Sequence, residues 1–422
     1  MSADTLHDHH PDHGGAEGLL SVEEAREKVL GQINPLAPLQ LPLPEAHGCV
    51  LAEDVTAAAD IPEFASSAMD GFAVRSSDVG TAAPSSPVEL RIVGRALIGR
   101  RPESTVGGGE AVRIATGAPI PAGADAIVPI ESCEVVGETV RILAASPEGR
   151  HIRPQGEDVR VGEPLVRAGR RLDSPEVGLL ATAGVPHPLV HPRPRVVVLS
   201  TGDELIPPSQ VPEYGQVRDS NAYLLFGALR EAGAAPVMAG IVRDDPDALR
   251  ETILNHLVQA DAFVSSGGVS VGERDVVKAA FFRRGEVEFF RVAMQPGMPQ
   301  GFGHVEGKPY FGLPGNPVSV FVSFEVLIRP AILKMMGRKK LFRPEVTARL
   351  DADVSGPKEK TQFARVLLRQ GPDGYVATPT GARGSNLIST VSRANGLAIV
   401  PPGVETAPAG SEVKVMVFRP AE

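Results

Sequence analysis

The 422-residue sequence has only two cysteines, Cys49 and Cys133. They lie far apart and form no CxxC pair, so a disulfide framework is not on offer and a reducing compartment fits. No apolar run approaches the length of a membrane span. The N-terminus lacks the basic start and apolar core of a signal peptide. A cytoplasmic protein with no membrane insertion is therefore expected. There is no excess of positive charge: 42 Lys and Arg against 51 Asp and Glu leave a formal net charge of −9. That balance argues against nucleic acid as a partner. It also means that an anionic ligand has to be held by local donors or by a cation. What is plentiful is turn chemistry, with 45 Gly and 39 Pro, which suits many short strands.

The length allows two to four domains, and the pattern changes along the chain. Residues 1–18 are polar, with His7, His9, His10 and His13 among aspartates. A disordered tail is expected because nothing there can bury a core, with metal sensing as the alternative. Ser21 and Glu24 form a capping box ahead of the stripe Val22, Ala25, Val29 and Ile33. Residues 36–60 read as an extended connection. We expect residues 19–61 and 150–184 to form an N-terminal helix and linker domain, with Pro175–Ala183 as a short helix. Residues 62–149 carry strand-like runs at Val88–Val93, Ala111–Ala115, Ala126–Ile130 and Thr139–Leu143, separated by Gly/Pro turns, and read as a β-rich insertion domain. Residues 185–338 alternate strand and helix, which implies an α/β domain with a central, mostly parallel sheet covered on both faces. Its last helix is expected over Val318–Met336. Residues 339–422 are expected to form a C-terminal β domain, where from Pro344 the period changes to two, as in a small barrel or sandwich.

Four polar loops in the α/β segment each follow an apolar run. Ser200-Thr201-Gly202-Asp203-Glu204 follows Val196–Leu199, and Arg243-Asp244-Asp245 follows Val237–Val242. Ser266 to Gly272 follows Ala262–Ser265, and Pro314-Gly315-Asn316-Pro317 follows Tyr310–Leu313. In an open parallel sheet, ligands bind beyond the carboxyl ends of the strands, where these loops would converge. Gly267, Gly268 and Gly272 around Ser266 and Ser270 can form an anion nest, with the serine hydroxyls as added donors; a tight turn without a ligand is the alternative. Asn316 can cap the following helix, face a ligand, or do both. Asp203, Glu204, Asp244 and Asp275 are the carboxylates of this edge. Any one of them reads as a helix cap. Together they would repel, by about 4 kcal/mol per pair at ~4 Å in a surface-like dielectric. Beside an anion nest such a cluster points to a divalent cation, and oxygen ligands favour Mg²⁺.

These residues, taken together, resemble the molybdopterin molybdenumtransferase family, which includes the E domain of gephyrin. The resemblance runs from about Ser21 to Phe418. It is carried by SAMDGFAV from Ser67, IATGAPIPAGADAIVP from Ile114, GED from Gly156, STGDEL from Ser200, RDDP from Arg243, SSGGVSVGERD from Ser265 and GLPGNPVS from Gly312. It implies insertion of molybdate into the dithiolene of adenylylated molybdopterin, with release of AMP, by an elongated homodimer whose cleft is shared between subunits. It assigns Asp70 and Thr116 to the part of the cleft supplied by the partner's β-rich domain. Asp158, Glu204, Asp244 and Asp275 match catalytic carboxylates, with Glu204, Asp244 and Asp275 as the metal ligands. Thr201, Gly202, Ser266, Gly267, Gly268, Ser270, Gly272, Pro314, Gly315, Asn316 and Pro317 match the loops that bind the pterin phosphate. Arg365 and Ser385 match polar residues contributed by the C-terminal domain.

The sequence departs from the family pattern in two places. Many relatives carry K-P-G-K-P where this chain has Gln295-Pro296-Gly297-Met298-Pro299, and Asp-Asn where it has Ala65-Ser66. Each missing lysine is expected to weaken oxyanion binding by about tenfold or more, with Arg291, Arg274 and Lys278 as nearby positive charges. The resemblance also leaves a second function open, a gephyrin-like scaffold that binds partner peptides. A molybdopterin adenylyltransferase is a further partner that the reaction suggests.

Overall fold

The computed structural model describes residues 18–269, 276–281, 285–381 and 384–421. A seven-stranded sheet organises the middle of the chain. Its order is Leu19–Leu20, Val287–Val292, Pro299–Val305, Lys308–Leu313, Ala262–Ser266, Arg195–Thr201 and Ala235–Val242. The last four strands are mutually parallel. Their apolar runs are continuous because both faces are covered. Val196 and Val198 pack with Val264, Phe311 and the helices Asn221–Ala232 and Pro317–Ser323 on one face. Val197 and Leu199 pack with Phe263 and the helices Pro246–His256 and Val276–Phe281 on the other. The two-residue strand period thus feeds two cores from one run.

Two expectations for this segment need correction. Strand and helix do not alternate to its end: after Val276–Phe281 the chain forms an antiparallel meander, Val287–Val292, Pro299–Val305 and Lys308–Leu313. Nor is the last helix uniform. It starts at Pro317, widens into a π turn over Phe324–Ile328 and ends at Met335. Buried Glu325 sits in that wide turn and takes a two-pronged ion pair from Arg343, at 2.9 and 3.0 Å.

The β-rich segment is a six-stranded sheet, Cys133–Val136, Thr139–Ile142, Val88–Ala96, Glu110–Ile114, Gly71–Val74 and Ala126–Pro129. Gly71–Val74, the end of the SAMDGFAV motif, is a fully buried strand between two of the others and was not among the strand-like runs read from the sequence. The connection at 36–60 is less extended than expected. It contains the short helix Leu43–Ala46, and its strands Leu39–Gln40 and Val50–Leu51 flank Leu189–His191. Near the C-terminus, Thr361–Gly371, Gly374–Pro379, Glu345–Leu350, Glu412–Val417 and Gly396–Val400 close on themselves through pairing of the first and last strands, a barrel rather than a sandwich. Met294–Gln295 pairs with Thr361–Gln362 and ties the meander to this barrel.

Candidate active site

From Arg195–Thr201 the chain passes first to Ala235–Val242 on one side and then to Ala262–Ser266 on the other. The carboxyl end of Arg195–Thr201 is therefore a topological switch point, where neighbouring loops diverge and leave a crevice. A cavity of about 520 Å³ lies there. All four predicted loops line it, through Thr201, Gly202 and Glu204, through Asp244, through Ser266, Gly267 and Gly268, and through Pro314, Gly315 and Asn316. Asn221, Val269, Pro299 and Ser319 complete much of the wall.

Glycine is required at Gly267 by close approach to backbone, and at Gly202 it suits the positive φ of +154. Gly267 has φ +91, and a Cβ there would lie 2.5 Å from the Thr201 carbonyl oxygen. A Cβ on Gly202 would lie 2.6 Å from the Glu204 carboxylate, which folds back over it. The nest is narrower than expected, because the Gly267 N–H donates to the Leu313 carbonyl at 3.0 Å and is not available to an anion. Ser270, Gly272 and Asp275 lie outside the described residues, as does Arg274.

The helix after Pro314-Gly315-Asn316 also differs from expectation. Asn316 occupies the N-cap position, but its side chain makes no cap hydrogen bond. The Val318 N–H instead donates to the Ser385 carbonyl at 3.0 Å. Ser385 thus reaches this loop through its backbone and leaves the Asn316 amide to the cleft. Arg365 is buried in the barrel and donates to the Thr390 hydroxyl at 3.1 Å. It does not line the cavity.

Two buried polar atoms of the cleft, Thr201 Oγ1 and Asn221 Oδ1, have no hydrogen-bond partner among the described residues. Burial of such groups is unfavourable unless something pairs with them. Beneath them, Ser200 Oγ lies 3.0 Å from both Asp219 Oδ1 and Ser266 Oγ. Ser266 was singled out in the sequence, but Asn221, Asp219 and the link through Ser200 were not. The polar run Asp219-Ser220-Asn221 before the helix was the available signal.

The cleft is acidic. The Asp244 carboxyl is held above the usual carboxylate range, first by partial burial and then by the charges of Asp203 and Glu204. The Asp244 N–H donates to Asp203 Oδ1 at 3.3 Å. Among the described residues that line the cavity there is no Lys or Arg. Lys278 lies over the Phe289 ring, and Arg291 donates to Met298 Sδ at 3.5 Å. No three His, Cys, Asp or Glu among the described residues are grouped so as to hold a metal ion. Of the expected trio, Glu204 and Asp244 line the cleft and Asp275 is outside the description.

Asp70, Thr116 and Asp158 are not in this wall. Asp70 and Thr116 meet each other, since Asp70 Oδ1 accepts the Thr116 N–H at 2.9 Å. The two motif loops are further joined by Ser67 N–H to the Ala118 carbonyl and Gly117 N–H to the Ser67 carbonyl. Asp158 is exposed on a loop whose N–H donates to the Ile61 carbonyl.

Comparison with known proteins matches three family models along the chain. The MoeA N-terminal region (domain I and II) matches residues 20–184, a probable molybdopterin binding domain matches 197–334, and the MoeA C-terminal region (domain IV) matches 347–418. Molybdopterin molybdenumtransferase 2 of Mycobacterium tuberculosis (strain H37Rv) is 40% identical over 401 residues, 94% of this chain and 98% of that protein. The molybdopterin molybdenumtransferase of Nostoc sp. is 35% identical over 378 residues, 88% and 86% of the respective chains. A crystal structure of the molybdopterin biosynthesis moeA protein from Pyrococcus horikoshii superposes with a TM-score of 0.79 at 33% identity, covering 95% of this chain and 100% of that one.

Proposed function

This chain belongs to the molybdopterin molybdenumtransferase family, and from that premise we propose that the cleft at the sheet's switch point is where adenylylated molybdopterin and molybdate are brought together, with release of AMP. The observation that carries this reading is the convergence of the four loops on one cavity whose described residues include unpaired polar atoms and a carboxylate held above its ordinary range. Relatives with transferase names match nearly end to end, and no observation supports the scaffold alternative.

In this reading Thr201 and Asn316 bind and orient the substrate, Gly267 and Gly268 let it approach the backbone, and Pro314 and Pro317 hold their loop rigid. Ser270 and Gly272 would extend the same loop. Arg365 and Ser385 act from the barrel, Ser385 by fixing the start of the helix after Pro317. Crowded carboxylates with no Lys or Arg among the described residues of the wall fit a divalent metal such as Mg²⁺, which Glu204 and Asp244 would hold with Asp275. Such an ion would neutralise phosphate charge. We further propose a cytoplasmic homodimer in which a second copy supplies Asp70 and Thr116, because these stand away from the cleft of their own chain; Asp158, the other expected catalytic carboxylate, also lies outside that wall. The domain limits expected above, including 62–149 as the unit lent to the partner, belong to the same proposal.

The test is to mix the purified protein with adenylylated molybdopterin and molybdate, with and without Mg²⁺, and to measure AMP and mature cofactor. Product that depends on Mg²⁺ is expected. A folded protein that yields neither product rejects the reading.

A further inference from the structure

The hydroxyl chain beneath the cleft has only one consistent direction. As a carboxylate, Asp219 can only accept. Its Oδ1 already accepts the Ala222 N–H at 3.1 Å and lies 3.0 Å from Ser200 Oγ. Ser200 must therefore give Asp219 its single proton. Ser266 Oγ, 3.0 Å away, must then donate to Ser200. All three residues are buried, Ser200 completely, so water does not reset the order. Whatever Ser266 Oγ offers the cleft, it offers as an acceptor.

A second atom reaches the same polarity independently. Asn221 Nδ2 donates to the Gly315 carbonyl at 2.7 Å, which fixes the orientation of its amide. Oδ1 is left buried, unpartnered and able only to accept. Phosphate oxygens are acceptors too, so neither atom suits them. The pterin ring system carries N–H donors along its amide and amine edge.

We infer that Ser266 and Asn221 recognise hydrogen-bond donors on the pterin edge, and that Ser266 does not bind the phosphate. Asp219 is a positioning residue in this scheme, acting through Ser200. The inference rests on the cleft being the substrate site, and it reverses the donor role that the sequence suggests for the Ser266 hydroxyl.

The experiment measures binding of a soluble pterin, of AMP and of inorganic phosphate to the full-length protein and two variants. Ser266→Ala is expected to weaken pterin binding by about two- to tenfold, the size of one neutral hydrogen bond, and to leave phosphate and AMP within about twofold. Ser200→Ala frees the Ser266 proton, so phosphate binding should tighten severalfold while pterin binding falls. Unchanged melting curves show that both variants fold. The inference is overturned if Ser266→Ala leaves pterin binding at the wild-type level, or if it costs phosphate tenfold or more. Wild-type protein that binds none of the three probes overturns the cleft reading along with it.

Discussion

Replacing Asp244 with Asn should make the protein slightly more stable and nearly inactive. The Asp244 carboxyl is raised by partial burial and by the charges of Asp203 and Glu204. A raised folded-state value means that the folded protein holds this proton more tightly than the unfolded chain does. Stability therefore falls as pH rises from about 3.8, the ordinary value, through the folded value, and the penalty is complete above it. At neutral pH the ionised side chain is a standing cost. Its size is limited by exposure, since Asp244 lies on an open loop. The ~4 kcal/mol of a close pair at an effective dielectric of 20 is an upper bound, and solvent screening reduces it to about 0.2–1 kcal/mol. Asp244→Asn should recover about that much in urea unfolding at pH 7, and the gain should vanish near pH 4. Cofactor formation should fall by about 10²-fold or more, as when one preorganised electrostatic group is removed. Added Mg²⁺ should raise the wild-type midpoint more than the variant's. A variant less stable than wild type by more than ~1 kcal/mol, with activity falling in parallel, would show that Asp244 is only a structural cap.

Two further predictions come from other parts of the molecule. Glu325→Gln leaves the Arg343 guanidinium and that of Arg329, itself pushed down to about 10 by burial and then by Arg343, without their buried counter-charge. It should destabilise by about 3–5 kcal/mol in chemical denaturation, and a loss under ~1 kcal/mol would contradict the assigned role. Asp70→Ala and Asp244→Ala should each be inactive as purified dimers. Co-expressed in equal amounts, they should recover about a quarter of wild-type activity, one intact cleft in the half of dimers that are mixed. No recovery from confirmed mixed dimers would place each cleft within one chain.

The sequence was most legible where local physics sufficed. Ser21 and Glu24 form the capping box, with Glu24 N–H to Ser21 Oγ at 3.1 Å. Periodicity was enough to locate the parallel strands and the period-two strands of the barrel. It failed at Gly71–Val74, where a short buried strand begins with Gly and has no alternation to read. It failed again at 285–313, because a short apolar run such as Tyr310–Leu313 does not show whether its neighbour runs parallel or antiparallel. The π turn is marked only by Pro330 just after it, whose missing N–H interrupts the helical ladder; the helix around it is buried on most sides, so no apolar stripe shows where it widens.

The sequence by itself determined which residues could serve the cleft, because glycine, hydroxyl and carboxylate chemistry is local to each loop. It also determined the order of the elements, and the crossing of the chain from one side of Arg195–Thr201 to the other then set where the loops would meet. Only the tertiary structure decided the polarity of the site. Ser266 became an acceptor because Ser200 and Asp219 lie beneath it, and the Gly267 N–H was taken by a carbonyl of the neighbouring strand. The first contact spans 66 residues in sequence, and the second joins Gly267 to Leu313. A hydrogen bond between distant segments has a direction only once packing has brought every donor and acceptor into place.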